Sequence, residues 1–127
     1  MPYLIVFAGA GIGGALRHAV NVAIARLSGY GFPAGTMFVN IVGSFAMGLL
    51  AGWFLIRPGY SQDVRLFLTT GVLGGFTTFS AFSLDAALLI ERGAWGWAAL
   101  YALGSVVAAI GALFIGLALF RGGGQLP

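Results

Sequence analysis

Polar residues are sparse enough along this chain to punctuate it. Apolar runs of about 20 residues, the length needed to cross the hydrocarbon core of a bilayer, extend roughly from Tyr3 to Leu27, Ala34 to Ile56, Leu66 to Ile90 and Trp95 to Phe120. The segments between them carry turn chemistry. Ser28-Gly29-Tyr30-Gly31-Phe32-Pro33 ends the first run, with Pro33 suited to the start of the next helix. Arg57-Pro58-Gly59-Tyr60-Ser61-Gln62-Asp63 joins the second run to the third, and Glu91-Arg92-Gly93 the third to the fourth. Trp95 and Trp97 fall where interfacial aromatics belong. The pattern predicts an all-α membrane protein: one domain over residues 1–127, four transmembrane helices, and a disordered tail from about 122 to 127.

Within the runs the polar positions are grouped. The third contains Gly74-Gly75-Phe76-Thr77-Thr78-Phe79-Ser80-Ala81-Phe82-Ser83 at mid-span. Two adjacent glycines weaken a helix by about 1 kcal/mol each relative to alanine. A backbone group freed in hydrocarbon costs several kcal/mol unless protein, water or an ion satisfies it. The string therefore predicts a broken third helix whose backbone binds something, as in transporters. Phe76, Phe79 and Phe82 recur every three residues, so their rings are expected to stack along one side of the following half-helix. The alternative is tight packing at Gly75, with hydroxyls bonded back to the preceding turn.

Two other runs carry matching stripes. Thr36, Asn40, Gly43, Ser44, Met47 and Gly48 share a face of the second helix. Asn40 offers two amide donors as well as an acceptor, which suits a small anion; interhelical bonding is its other use. On the fourth helix Tyr101, Gly104, Ser105, Ala108, Gly111 and Ala112 form a small-and-hydroxyl face. In the first helix Gly13, Arg17 and Asn21 make a polar lane. A charge at that depth costs at least about 2.5–3.5 kcal/mol unless it meets water or a partner or snorkels. Arg17 either faces a water-filled vestibule that attracts anions or snorkels toward the side of Arg26. His18 is read as interfacial, and Asp85 is given no proton-coupling role.

Composition narrows the class. The chain is 60% hydrophobic and 7% charged, against about 25% charged in soluble domains, and its mean hydropathy is +1.01. It has no cysteine, which excludes disulfides, thiol catalysis and Cys-based metal sites. The net charge of +3 comes from scattered arginines, with no basic run for nucleic acid. No Lys/Arg-rich leader precedes the first run, which is expected to be retained as a helix. Gly9, Gly11 and Gly14 match a dinucleotide fingerprint, but no acidic residue follows at the required distance and no βαβ pattern exists. Gly9 and Gly13 are better explained by close helix contact. Across four spans Arg57, Arg65 and Arg121 share one side and Arg26 and Arg92 the other. So small an excess barely orients the chain and allows two copies to insert in opposite senses and pair antiparallel.

Gly11-Ile12-Gly13-Gly14-Ala15-Leu16-Arg17, Gly35 through Ser44, Gly71 through Ser83, and Tyr101-Ala102-Leu103-Gly104-Ser105 closely resemble the Fluc (CrcB) family of small bacterial fluoride channels, over essentially the whole chain. The resemblance implies an antiparallel, dual-topology homodimer in the bacterial inner membrane, passing fluoride passively through two pores. It implies a fluoride pore of Asn40, Phe79, Phe82, Ser80, Tyr101 and Ser105, with Arg17 in the vestibule. It also implies a structural sodium ion at the dimer interface, held by the backbone carbonyls of Gly74 and Thr77 from both subunits. Asp85 stands where many relatives have Glu, and the lower fourth helix, with Ala112 and Gly116, lacks a hydroxyl that some relatives carry. Two readings compete: a small multidrug exporter, which would need a glutamate that the first helix lacks, and a non-conducting assembly subunit.

Overall fold

The structure, a computed structural model, describes residues 1–29 and 31–121; the expected disordered tail lies outside the described residues. Helix α1 (Pro2–Ser28) begins with proline in its first turn, where the missing N–H would be unpaired in any case. It ends at Gly29, whose φ of 80° lets its N–H return to the Ala25 carbonyl at 2.8 Å. Helix α2 covers Ala34–Ile56. The third span is composite. A short α3 (Gln62–Arg65) is capped by the Ser61 hydroxyl, which accepts from the Val64 N–H at 3.3 Å. A π-helical segment (Leu66–Leu73) leads into α4 (Gly74–Phe76). After an interruption, α5 (Ser80–Glu91) completes the crossing, and Gly93 (φ 77°) turns the chain into α6 (Trp95–Arg121). Four helical stretches, Pro2–Ser28, Ala34–Ile56, Gln62–Glu91 and Trp95–Phe120, are long and apolar enough to cross a membrane.

The break does not fall at the glycine pair. Gly74 and Gly75 stay helical, and the backbone leaves the helix at Thr77 (φ −89°, ψ 160°). The ring stack is corrected with it. Phe76 belongs to the helix before the break and lies against Gly43 on α2, while Phe79 and Phe82 alone pair beyond it. An extended residue between 76 and 79 destroys the helical register that a three-residue spacing assumes. The π segment was not foreseen either. Thr69 Oγ1 donates to the Arg65 carbonyl at 2.6 Å and Thr77 Oγ1 to that of Leu73 at 2.9 Å. Such back-bonding competes with the regular ladder, and π turns gather at functional sites.

Glycine sets how the helices cross. A Cβ on Gly9 would stand 2.8 Å from the Phe67 carbonyl oxygen and 2.9 Å from the Gly71 Cα. One on Gly13 would run into the Val72 carbonyl, and one on Gly75 would come 2.9 Å from the Ala10 Cα. Backbone thus meets backbone between α1 and the third span, the small-residue packing that membranes favour. Helices α2 and α6 repeat the arrangement: Gly48 abuts the Leu113 carbonyl, and a Cβ on Gly116 would stand 2.8 Å from the Leu49 nitrogen. Gly11 and Gly14 have open space around them.

Gly13→Ala is expected to cost about 1–3 kcal/mol through overpacking, whereas Gly11→Ala gains helix propensity of about 1 kcal/mol at most. Unfolding in detergent measures both. Equal effects at the two positions would refute backbone contact as the basis of this crossing.

Candidate functional site at the interrupted third span

The interruption leaves peptide groups in mid-membrane, and side chains from other helices satisfy three of them. Asn40 of α2 pairs with both polar groups of Thr78: its Nδ2 donates to the Thr78 carbonyl at 3.0 Å, and its Oδ1 accepts from the Thr78 N–H at 2.8 Å. Thr78 Oγ1 accepts from the Ala81 N–H at 3.1 Å, acting as a cap for α5. Arg17 of α1 donates from Nε to the Gly75 carbonyl at 3.1 Å. Among the described residues no donor reaches the carbonyls of Gly74 or Thr77.

These contacts bring Arg17, Asn40, Gly74 and Thr77 to one region. Arg17 does not snorkel; it is half-buried and tied to the last turn before the break. A cation there also opposes the partial negative charge of the half-helix C-terminus. Asn40 acts as interhelical glue, yet one N–H of its amide remains uncommitted. A cavity of about 440 Å³ opens beside it, lined by Asn40, Ser44, Gly74, Thr77, Thr78, Phe79, Phe82 and Ser105 together with α6 aliphatics. Ser105 is 3% exposed and its hydroxyl has no partner. An orphaned buried hydroxyl costs about 1–3 kcal/mol, which an occupant of the cavity would offset.

The aromatic members form a short stack. Phe79 and Phe82 centroids are 5.7 Å apart at 42°, and Phe82 lies 5.1 Å from the ring of Tyr101. Tyr101 is fully buried, edge-on to Phe32 at 5.5 Å. Its hydroxyl donates to Asp85 Oδ2 at 3.1 Å, a tie that no local spacing signals because the two residues sit on different helices. Phe79, by contrast, is 77% exposed. Ser80 is exposed too, 3.4 Å from the Thr78 hydroxyl, and does not line the cavity. Asp85 also borders a second cavity of about 370 Å³ with His18, Asn21 and Thr36. Thr78, quoted in the string but given no role of its own, is central here, and its hydroxyl three positions before Ala81 is the detectable signal of a helix start.

Arg17→Met removes a hydrogen bond to a charged donor and is expected to cost about 1.5–3 kcal/mol. Chemical unfolding in detergent reads the loss. An unchanged midpoint would mean that the bond to Gly75 contributes nothing to holding the break.

Comparison with known proteins places the chain in a family. The profile of the family described as "CrcB-like protein, Camphor Resistance (CrcB)" matches residues 4–117. The protein named fluoride-specific ion channel FluC of Methylobacterium nodulans is 66% identical over 118 residues, covering 93% of this chain and 94% of that one. FluC of Rhodopseudomonas palustris (strain BisB5) is 61% identical over 121 residues, covering 95% and 98%. FluC of Granulibacter bethesdensis is 54% identical over 121 residues, covering 95% of each chain. With nearly the full length aligned at such identity, the chain belongs to the CrcB-like protein family.

Proposed function

We propose that this protein is a fluoride channel rather than an enzyme or pump, letting fluoride leave the cytoplasm passively across the bacterial inner membrane. The observation that carries the reading is the mid-span cavity lined by Asn40, Ser105, Phe79 and Phe82, with the buried Ser105 hydroxyl left without a partner. The names of the 54–66% identical relatives support it. Fluoride is small and strongly hydrated, so a pore must replace its water with close donors. The free Asn40 N–H and the Ser105 hydroxyl are such donors, and ring edges carry the positive part of the aromatic quadrupole. Tyr101 continues the line toward Asp85 and Thr36. A filter matched in size and donor geometry disfavours chloride. The exporter reading lacks its acid, since α1 contains no Asp or Glu.

The exposed Phe79 and the undonated carbonyls of Gly74 and Thr77 support assembly as an antiparallel homodimer with two pores. Oxygens without a fixed charge suit a monovalent cation, and two copies would together supply four. The residues present therefore fit a sodium ion held by Gly74 and Thr77, which would neutralise carbonyls that lipid cannot satisfy.

Liposomes containing the purified protein are expected to release fluoride, read with a fluoride electrode, and to retain chloride. Phe82→Ile should reduce the flux strongly, and Asn40→Asp should abolish it by placing a carboxylate beside the anion path. Full flux in both folded variants would remove these residues from the pore.

Cysteines placed one at a time at an exposed terminus should be labelled by impermeant reagent from both sides of the membrane. Labelling confined to one side would refute dual topology.

A further inference from the structure

A third cavity, of about 730 Å³, lies on the opposite side of the break from Asp85, and Arg65, Thr69, Thr70, Phe54 and Gly74 are among its walls. Gly74 also lines the cavity that holds Asn40 and Ser105. Both spaces are bounded by α2, the third span and α6, and Gly74 is a wall of each. Arg65 stands where the larger of them reaches the loop end of the third span.

The state of its side chain is unusual. Nε is buried and has no hydrogen-bond partner. The only side-chain bond found, among the described residues, is a long one from Nη2 to the Pro58 carbonyl at 3.4 Å. The guanidinium carbon lies 5.2 Å over the Phe54 ring, which fixes the plane without neutralising the charge. Asp63, two residues earlier on the same short helix, points to a different side. An arginine that lines a cavity, is partly withdrawn from water and holds one long hydrogen bond is suited to meet an anion.

We propose that Arg65 is the anion-collecting group of the larger cavity, remote from Asp85, raising the local concentration of small inorganic anions that then pass Gly74 to reach Asn40 and Ser105. This inference rests on the channel reading above. A cleft of one charge sign raises encounter rates by about 10- to 1,000-fold, and salt screens the effect. The expected signature is kinetic and electrostatic.

The experiment is fluoride efflux from liposomes at low fluoride, in low and high background concentrations of an impermeant salt. Wild type should slow as salt rises. Arg65→Gln should lose about tenfold of the low-salt rate and most of the salt response, and Arg65→Lys should retain both. Should Arg65→Gln fail to fold, Thr70→Glu tests, with Arg65 intact, whether this cavity is the anion entry that the role of Arg65 requires, because Thr70 is an exposed residue of the same cavity. It should slow efflux at low salt and recover as salt rises. Equal rates and equal salt responses in wild type and the folded variant would overturn the role of Arg65 while leaving the channel intact. Absence of efflux from wild type would instead overturn the channel reading itself.

Discussion

The amide of Asn40 holds open a gap that lipid would otherwise close. A helix interrupted inside a bilayer exposes peptide groups that have no water to bond, each at a cost of several kcal/mol. Asn40 meets the Thr78 N–H and carbonyl together, as a neighbouring strand would, at 2.8 and 3.0 Å. Thr78 then caps the second half-helix with its own hydroxyl, and Arg17 takes the Gly75 carbonyl from the other side. The break is thus held by α1 and α2 together with the hydroxyl cap of Thr78. Its position fixes where Phe79 and Phe82 emerge, and so where the cavity lies.

Those bonds are possible only because the helices approach so closely. Gly9, Gly13, Gly71 and Gly75 bring α1 against the third span backbone to backbone, and Gly48 and Gly116 do the same for α2 and α6. Without a hydrophobic force between helices in lipid, close van der Waals contact supplies the association. The same crossings put Arg17 within reach of Gly75, and α2 within reach of Thr78. Gly75 therefore serves packing first. A methyl there would strike α1, so its substitution reports on the crossing as much as on the break.

Four spans were legible because runs of about 20 apolar residues have little other use. Asn40 and the Thr–Phe–Ser string were legible because polar groups at that depth need partners. The placement of the break was not. Two glycines look like the weak point by propensity, whereas tertiary bonds from Asn40 and Arg17 decide it three residues later. The π segment left no trace, since Leu66–Leu73 reads as an ordinary apolar helix. The Tyr101–Asp85 tie depends on how α5 and α6 pack, and no local spacing encodes it. Ser80 fits the expected string yet faces away from the cavity, because only the side chains on one face of α5 can look into it.

One protomer leaves this design incomplete in a way that constrains its surroundings. Phe79 is largely exposed, and beside it the carbonyls of Gly74 and Thr77 have no donor. Acyl chains could cover the ring but could not satisfy the oxygens. Neither cost arises if the face is buried against a second copy with a cation between them. A two-fold axis lying in the membrane plane exchanges depths about the midplane, so it brings the mid-span regions of two copies together. Near-balanced arginines at the two ends remove the electrostatic obstacle to inserting both ways. The charge pattern and the unsatisfied carbonyls are separate properties of the chain, one read from the loops and one from mid-span. The antiparallel pair proposed above would accommodate both.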